Sequence, residues 1–408
     1  MSPEPHASAA DGKPSQRRVI AAIGVTQILG YGTSYYLLPI LGLPIAADTG
    51  WPLTWVIAGL SIGMLTGGLA SPMVGGIIER WGGRPVLAAG ALLLAAGLIG
   101  VGSATRLEIY LAAWCVVGLG MAAGLYEAVF PALGRLYGAQ ARRPITTVTL
   151  IGGFASTVCW PLSAYLYDAV GWRWTCFIYA ASHLLIALPL HLTFPARVPD
   201  HAAAEPAAAE RPPVPAAKAT SHRSLILGLV VTHLTFTSIV ATIISVHLLV
   251  IVEHRGYHAA AAVALGTLLG PSQVAGRAIE LVFGRAVHPL WSAIACSTLI
   301  AAGVGALASN FPIMALAVIV FAAGAGVSYI VRGTLPLALF GPVGYATLMG
   351  KLALPSLVAQ ALAPWAAAFA FTRTGIDAFL VGLFVLALAN LAILAIAATL
   401  TKAEKPPA

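Results

Sequence analysis

Gly75-Gly76-Ile77-Ile78-Glu79-Arg80-Trp81-Gly82-Gly83-Arg84-Pro85 sets an acid, two arginines, four glycines and a proline between two long apolar runs. A related pattern returns as Gly276-Arg277-Ala278-Ile279-Glu280-Leu281-Val282-Phe283-Gly284-Arg285. Gly75, Glu79, Gly83 and Arg84 map onto Gly276, Glu280, Gly284 and Arg285 at one constant offset of 201 residues, close to half of the 408-residue chain. The chain therefore reads as a duplicated unit, and each copy carries a charged turn in the same place.

The flanking runs decide the environment. Only 9% of the residues are charged, 59% are hydrophobic and the mean hydropathy is +0.90. A soluble domain carries about 25% charged residues, so this composition excludes an ordinary water-facing surface. Apolar segments long enough to cross a bilayer as helices recur at 19–42, 55–78, 86–105, 109–131, 145–168, 174–193, 225–249, 259–282, 290–309, 312–334, 351–371 and 378–400. Glycine and proline lie within them, which suits packed, kinked helices better than a barrel. The expected fold is an all-α membrane protein with twelve transmembrane helices, spans 1–12, in two six-helix pseudo-repeats. The expected boundaries are a tail at 1–18, a bundle at 19–194, a Pro/Ala-rich linker at 195–223, a bundle at 224–401 and a tail at 402–408.

The net charge of +8 is assigned to topology rather than to nucleic acid. Eighteen of the 22 Lys and Arg residues fall on the side that carries both termini, which the positive-inside rule makes cytoplasmic. The expectation is a multi-pass protein of a bacterial inner membrane, in contact with lipid and monomeric. Cys115, Cys159, Cys176 and Cys296 lie within spans, and none has metal-ligand spacing. No metal, cofactor or enzyme motif is read.

The first charged turn resembles the signature of the major facilitator superfamily, Gly-x-x-x-Asp-Arg-x-Gly-Arg-Arg. Gly75, Arg80, Gly82 and Arg84 match, Glu79 stands for the Asp, and Gly83 replaces the first Arg. Gly171-Trp172-Arg173-Trp174-Thr175-Cys176-Phe177, at the start of span 6, and the 6+6 layout are also similar to that superfamily. The resemblance implies two bundles around a cavity lined by spans 1, 4, 7 and 10, opening alternately to either side. It makes Glu79 half of a latch whose partner is a basic group or a helix end in the other bundle. The plainer reading is that these charges set topology and cap helices. The second turn has Leu281 where the first has Arg80, so the two halves are not expected to latch equally.

Ionisable residues cost about 2.5–3.5 kcal/mol each near the centre of a membrane helix, so the few present are informative. Glu127 in span 4 and Arg332 in span 10 lie in repeat partners. Arg332 is read as an anion ligand or as the partner of Glu127, and Glu127 as a proton-coupling group. A second reading joins Glu127 to Arg80 or Arg84 in a charge relay. In span 1, Gln27 and Tyr31 share a helical face, while Tyr35 and Tyr36 suit interfacial anchors. His233 in span 7 could exchange protons or be satisfied by a neighbour. Gln273 and Arg277 in span 8, Tyr329 in span 10 and Trp160 in span 5 complete the candidate set, with Arg277 and Glu280 spaced to neutralise each other.

Two branches of the superfamily are the nearest in resemblance. Asp48-Thr49-Gly50-Trp51 and the stretch 137–143 resemble loops of monocarboxylate and oxalate–formate porters. The stretch 24–33 is similar to the first span of arsenite-efflux permeases. The favoured expectation is proton-coupled movement of a small organic anion. Efflux of a trivalent metalloid is the alternative, and a non-transporting receptor or scaffold is the alternative of another class.

Overall fold

The computed structural model describes residues 15–196, 216–284, 287–309 and 311–403. Among them every regular element is helical, and the helices group into twelve crossings. In the first half these are span 1 (Gln16–Thr33 and Leu38–Thr49), span 2 (Leu53–Trp81), span 3 (Gly83–Ser103) and span 4 (Leu107–Gly124 and Tyr126–Tyr137). Span 5 comprises Arg142–Gly152 and the first part of Ala155–Ser182, and span 6 the remainder with His183–Ala187 and Leu188–Leu192. The boundary between them is Gly171, whose φ of 80° breaks that helix. In the second half, span 7 is Ala216–His254, span 8 is Ala259–Gly266 with Leu269–Phe283, and span 9 is Pro289–Ala308. Spans 10, 11 and 12 are Met314–Phe340, Tyr345–Thr374 and Ile376–Ala403. Span 7 begins seven residues before the expected end of the linker, and 197–215 lie outside the described residues.

Lipid supplies no hydrophobic drive between helices, so backbones must approach closely to gain packing. A Cβ on Gly118 of span 4 would collide with the Gly63 carbonyl of span 2. A Cβ on Gly75 of span 2 would collide with the Ala346 carbonyl of span 11, with Gly350 beside it. Spans 2 and 11 thus form a glycine-lined seam between the two halves.

The halves are joined at one end. Val19 and Ile20 at the start of span 1 and Leu400 near the end of span 12 belong to or pack on one apolar cluster. The same cluster draws Ile78, Phe130 and Leu133 from the first half and Tyr345, Ala346 and Met349 from the second. At the opposite end the cores separate. One gathers around Tyr110 and Trp114, with Leu357 and Ala361 of span 11 against it. The other gathers around Ile244 and Phe321.

Spans 1 and 4 are interrupted for local reasons. In span 1, the Thr33 and Ser34 hydroxyls bond back to the carbonyls of Leu29 and Gly30, and Pro39 offers no N–H to the turn before it. The chain unwinds over 34–37 and resumes at Leu38. In span 4, Leu125 is extended (φ −93°, ψ −163°) and a new helix starts at Tyr126.

Candidate functional site

The second piece of span 4 opens with Tyr126 and Glu127, so the Glu127 carboxylate sits in the first turn of a half-helix. A helix N-terminus favours negative charge there. Across the boundary between the halves, Arg332 Nη2 of span 10 lies 3.0 Å from Glu127 Oε1, with side chains only 13% and 6% exposed. Glu127 thus pairs with Arg332, and among the described residues no ion pair joins it to Arg80, which is exposed, or to Arg84, which is half-buried.

Arg277 is buried beside this pair. Its Nε donates to the Gly326 carbonyl (3.2 Å) and its Nη1 crosses to the Thr149 carbonyl of span 5 (3.0 Å). Nη2 faces Gln273 Oε1 at 3.5 Å, and the guanidinium lies 4.8 Å from the centre of the Tyr329 ring. The expected neutralisation by Glu280 does not occur. Glu280 Oε1 lies 3.5 Å from Arg142 Nη2 and accepts from Ser292 (2.7 Å), so it is occupied nearer the helix end. Among the described residues, Arg277 has carbonyl and amide partners and no carboxylate.

Around the two arginines stands an aromatic group. Tyr31 lies 4.7 Å from Tyr126, Tyr35 meets Tyr31 and Tyr36 edge-on, and Tyr36 meets Trp160 edge-on at 6.1 Å. Tyr329 contacts Tyr126 from the second half. An open cavity adjoins this group, with about 550 Å³ of empty space that includes solvent at its mouth, lined by Tyr35, Gln273, Tyr329 and Arg332 together with the hydroxyl-bearing face of span 7 and Gln360 of span 11. Its lining runs from Leu234 to Ser245 along span 7, away from the joined end.

The structure brings together Tyr31, Glu127, Trp160, Gln273, Arg277, Tyr329 and Arg332, and moves two candidates elsewhere. Gln27 is fully buried, and its Nε2 donates to the Gly124 carbonyl (2.8 Å), which the break in span 4 leaves without a helical donor. His233 is 1% exposed, with Nδ1 3.0 Å from Asn390 Oδ1, and Asn390 in turn donates to Thr237. It belongs to the contact between spans 7 and 12. Tyr35 is the residue that face-counting missed. It lies in the unwound segment, where helical periodicity no longer decides direction.

The charged turns meet at the joined end. Glu79 Oε2 accepts from the Ala346 N–H in the first turn of span 11 (3.1 Å). Glu280 meets Arg142 in the first turn of span 5, and Arg142 also donates to the Gly284 and Val287 carbonyls at the end of span 8 (2.6 Å each). The two acids thus hold equivalent helix starts in opposite halves by different bonds. The glycines do not follow the offset. Gly75 faces the other half, whereas Gly276 packs on Ala323 of span 10 in its own half. Gly82 (φ 86°) makes the turn left-handed, and Gly83 is packed so tightly on Ala132 that no side chain fits. That explains the missing arginine. Arg84 is partly buried, and Arg285 lies outside the described residues.

The family model of the Major Facilitator Superfamily matches residues 23–292. The chain belongs to the Major Facilitator Superfamily. Membership places it among transporters rather than enzymes. It is 35% identical over 178 residues to monocarboxylate transporter 11 of Mus musculus, covering 40% of this chain and 36% of that protein. It is 34% identical over 131 residues to monocarboxylate transporter 3 of Rattus norvegicus, covering 31% and 24%. The matched stretch thus takes in about a third or less of these relatives' length. In fold it resembles the human organic anion transporter TETRAN, with a TM-score of 0.71 at 16% identity over 93% of this chain and 100% of that one. It also resembles the transporter FucP, solved in an outward conformation, with a TM-score of 0.71 at 12% identity over 95% and 99%.

Proposed function

We propose that this member of the superfamily is a proton-coupled secondary transporter of small monocarboxylates working by alternating access. The observation that carries the reading is a charge imbalance. Arg332 lines the cavity with Glu127 as its one carboxylate among the described residues, and Arg277, which touches Gln273 of the same lining, has none. A buried cation without a counter-ion is costly, and an incoming carboxylate supplies the missing charge with two oxygens matched to a guanidinium fork. The partial similarity to monocarboxylate transporters points the same way.

When Glu127 takes up a proton, the substrate carboxylate replaces it as the counter-ion of Arg332, so that proton and anion load together. Tyr31, Tyr35, Tyr126 and Arg332 are the titratable or charged groups near Glu127 from spans 1, 4 and 10. The bias of Lys and Arg supports a cytoplasmic joined end, so that in the bacterial inner membrane proposed here the cavity faces outward. The metalloid reading lacks a thiol at this cavity: Cys159, Cys176 and Cys296 are buried, and no cysteine lines it.

The test is uptake into proteoliposomes of two- to six-carbon monocarboxylates, with arsenite and a neutral sugar alongside, with and without an imposed proton gradient. Gradient-driven carboxylate uptake lost in Arg277→Ala supports the proposal. Arsenite flux, or no flux of any solute, overturns it.

A further inference from the structure

Hydroxyls on membrane helices ordinarily bond back to a carbonyl one turn earlier. On span 7, Thr232 and Thr235 do so, to Gly228 and Val231. Ser238, Thr242 and Ser245 do not. They stand at i, i+4 and i+7 on one helical face, among the described residues they make no hydrogen bond, and all three line the cavity together with Arg332. At 1.5 Å of rise per residue they extend over about 10 Å. Gln360 of span 11 and Gln273 of span 8 add amide groups to the same lining. The aromatic part of the lining is Tyr35 from the first half and Tyr329 from span 10, with Tyr36 and Trp160 packed edge-on in sequence behind Tyr35.

A two- or three-carbon acid held at Arg332 would leave this ladder of hydroxyls unused. A longer acid with an apolar chain would have to desolvate them without replacement bonds, at a cost each time. A chain of hydroxylated carbons ending in one carboxylate satisfies both walls. Its hydroxyls meet span 7, and its C–H face lies on the aromatic rings.

Resting on the carboxylate reading above, we infer that the solute is a polyhydroxylated monocarboxylate of roughly sugar-acid size, with Ser238, Thr242 and Ser245 as its specificity-determining contacts.

The full-length protein is tested with a matched set: D-gluconate, hexanoate and sorbitol, read by ligand-induced thermal stabilisation and by counterflow in proteoliposomes. Gluconate is expected to bind at least about tenfold tighter than hexanoate, since each hydroxyl bond gained is worth about 2- to 12-fold. The triple variant Ser238→Ala/Thr242→Val/Ser245→Ala should lose on the order of 10- to 1,000-fold in gluconate affinity without weakening hexanoate. If that variant does not fold, the comparison of the two acids on the unaltered protein decides alone. Hexanoate binding as well as gluconate, or a triple variant that weakens both acids alike, overturns the inference and leaves the carboxylate reading standing. Sorbitol binding as well as gluconate, or neither acid binding, overturns both.

Discussion

Glu79 on span 2 accepts a hydrogen bond from the backbone N–H of Ala346 in the first turn of span 11, 267 positions later in the chain. A carboxylate in one half is thereby held by a helix start in the other. Such a contact is worth about 0.3–1 kcal/mol when exposed, and up to about 2 kcal/mol when partly buried. Glu79→Ala should shift the population several-fold toward states parted at that end. Spin labels at Trp81 and Val343, both strongly exposed, would report a longer inter-label distance. An unchanged distance distribution removes the latch.

Arg142 holds the counterpart contact by an ion pair to Glu280 and by two carbonyl bonds. Arg142→Ala should also loosen the joined end, and more than Glu79→Ala, because three acceptors lose one donor group. The two sites lie on different interfaces, so their effects should add to within about 0.5 kcal/mol in a double-mutant cycle. Strong coupling in that cycle would mean a single shared latch.

Gly75→Val places a branched side chain where the Ala346 carbonyl and Gly350 already fill the space. Overpacking of this kind costs about 1–3 kcal/mol. The expected result is a lower melting temperature and weakened closure of the joined end. Gly76→Ala, with open space around its Cβ position, should be silent in both measurements.

Glu127→Gln leaves Arg332 buried without its counter-charge, and Arg332→Ala does the converse. Each should abolish gradient-driven flux while the protein still reaches the membrane. The double variant Glu127→Gln/Arg332→Gln should be more stable than either single variant, because an unpaired buried charge costs about 3–5 kcal/mol and a neutral pair avoids that cost. Wild-type flux in both single variants would remove the pair from the mechanism.

His233→Ala removes a buried bond to Asn390. It should lower stability by about 1–3 kcal/mol and leave the KM for substrate unchanged. A raised KM with unaltered stability would return His233 to the substrate path.

The membrane class, the twelve crossings and the twofold layout were legible because they rest on segment length and on a repeated charged turn. The pairing of Glu127 with Arg332 was one of the readings left open, since the sequence offered Arg80 and Arg84 as partners as well and only the packing of spans 4 and 10 brings the 3.0 Å contact. Other features depend on backbone breaks that periodicity does not report. Tyr35 reaches the cavity because span 1 unwinds over 34–37. Gln27 is turned into the protein because span 4 breaks at Leu125 and frees a carbonyl that only a side chain can answer. Arg277 reached Thr149 instead of Glu280 because span 5 passes close to it, a neighbour that no local spacing reveals.

The seam between spans 2 and 11 has a mechanical consequence. At Gly75 and Gly350, and again where Gly68 meets Leu357, one of the two surfaces in contact is bare backbone. Interdigitated side chains would have to disengage before two helices could turn against each other, whereas smooth backbone surfaces can roll with little repacking. If the halves alternate as proposed, the seam can work as a bearing, which would leave the Glu79 and Arg142 contacts, rather than the helix surfaces, to set how fast they exchange orientation.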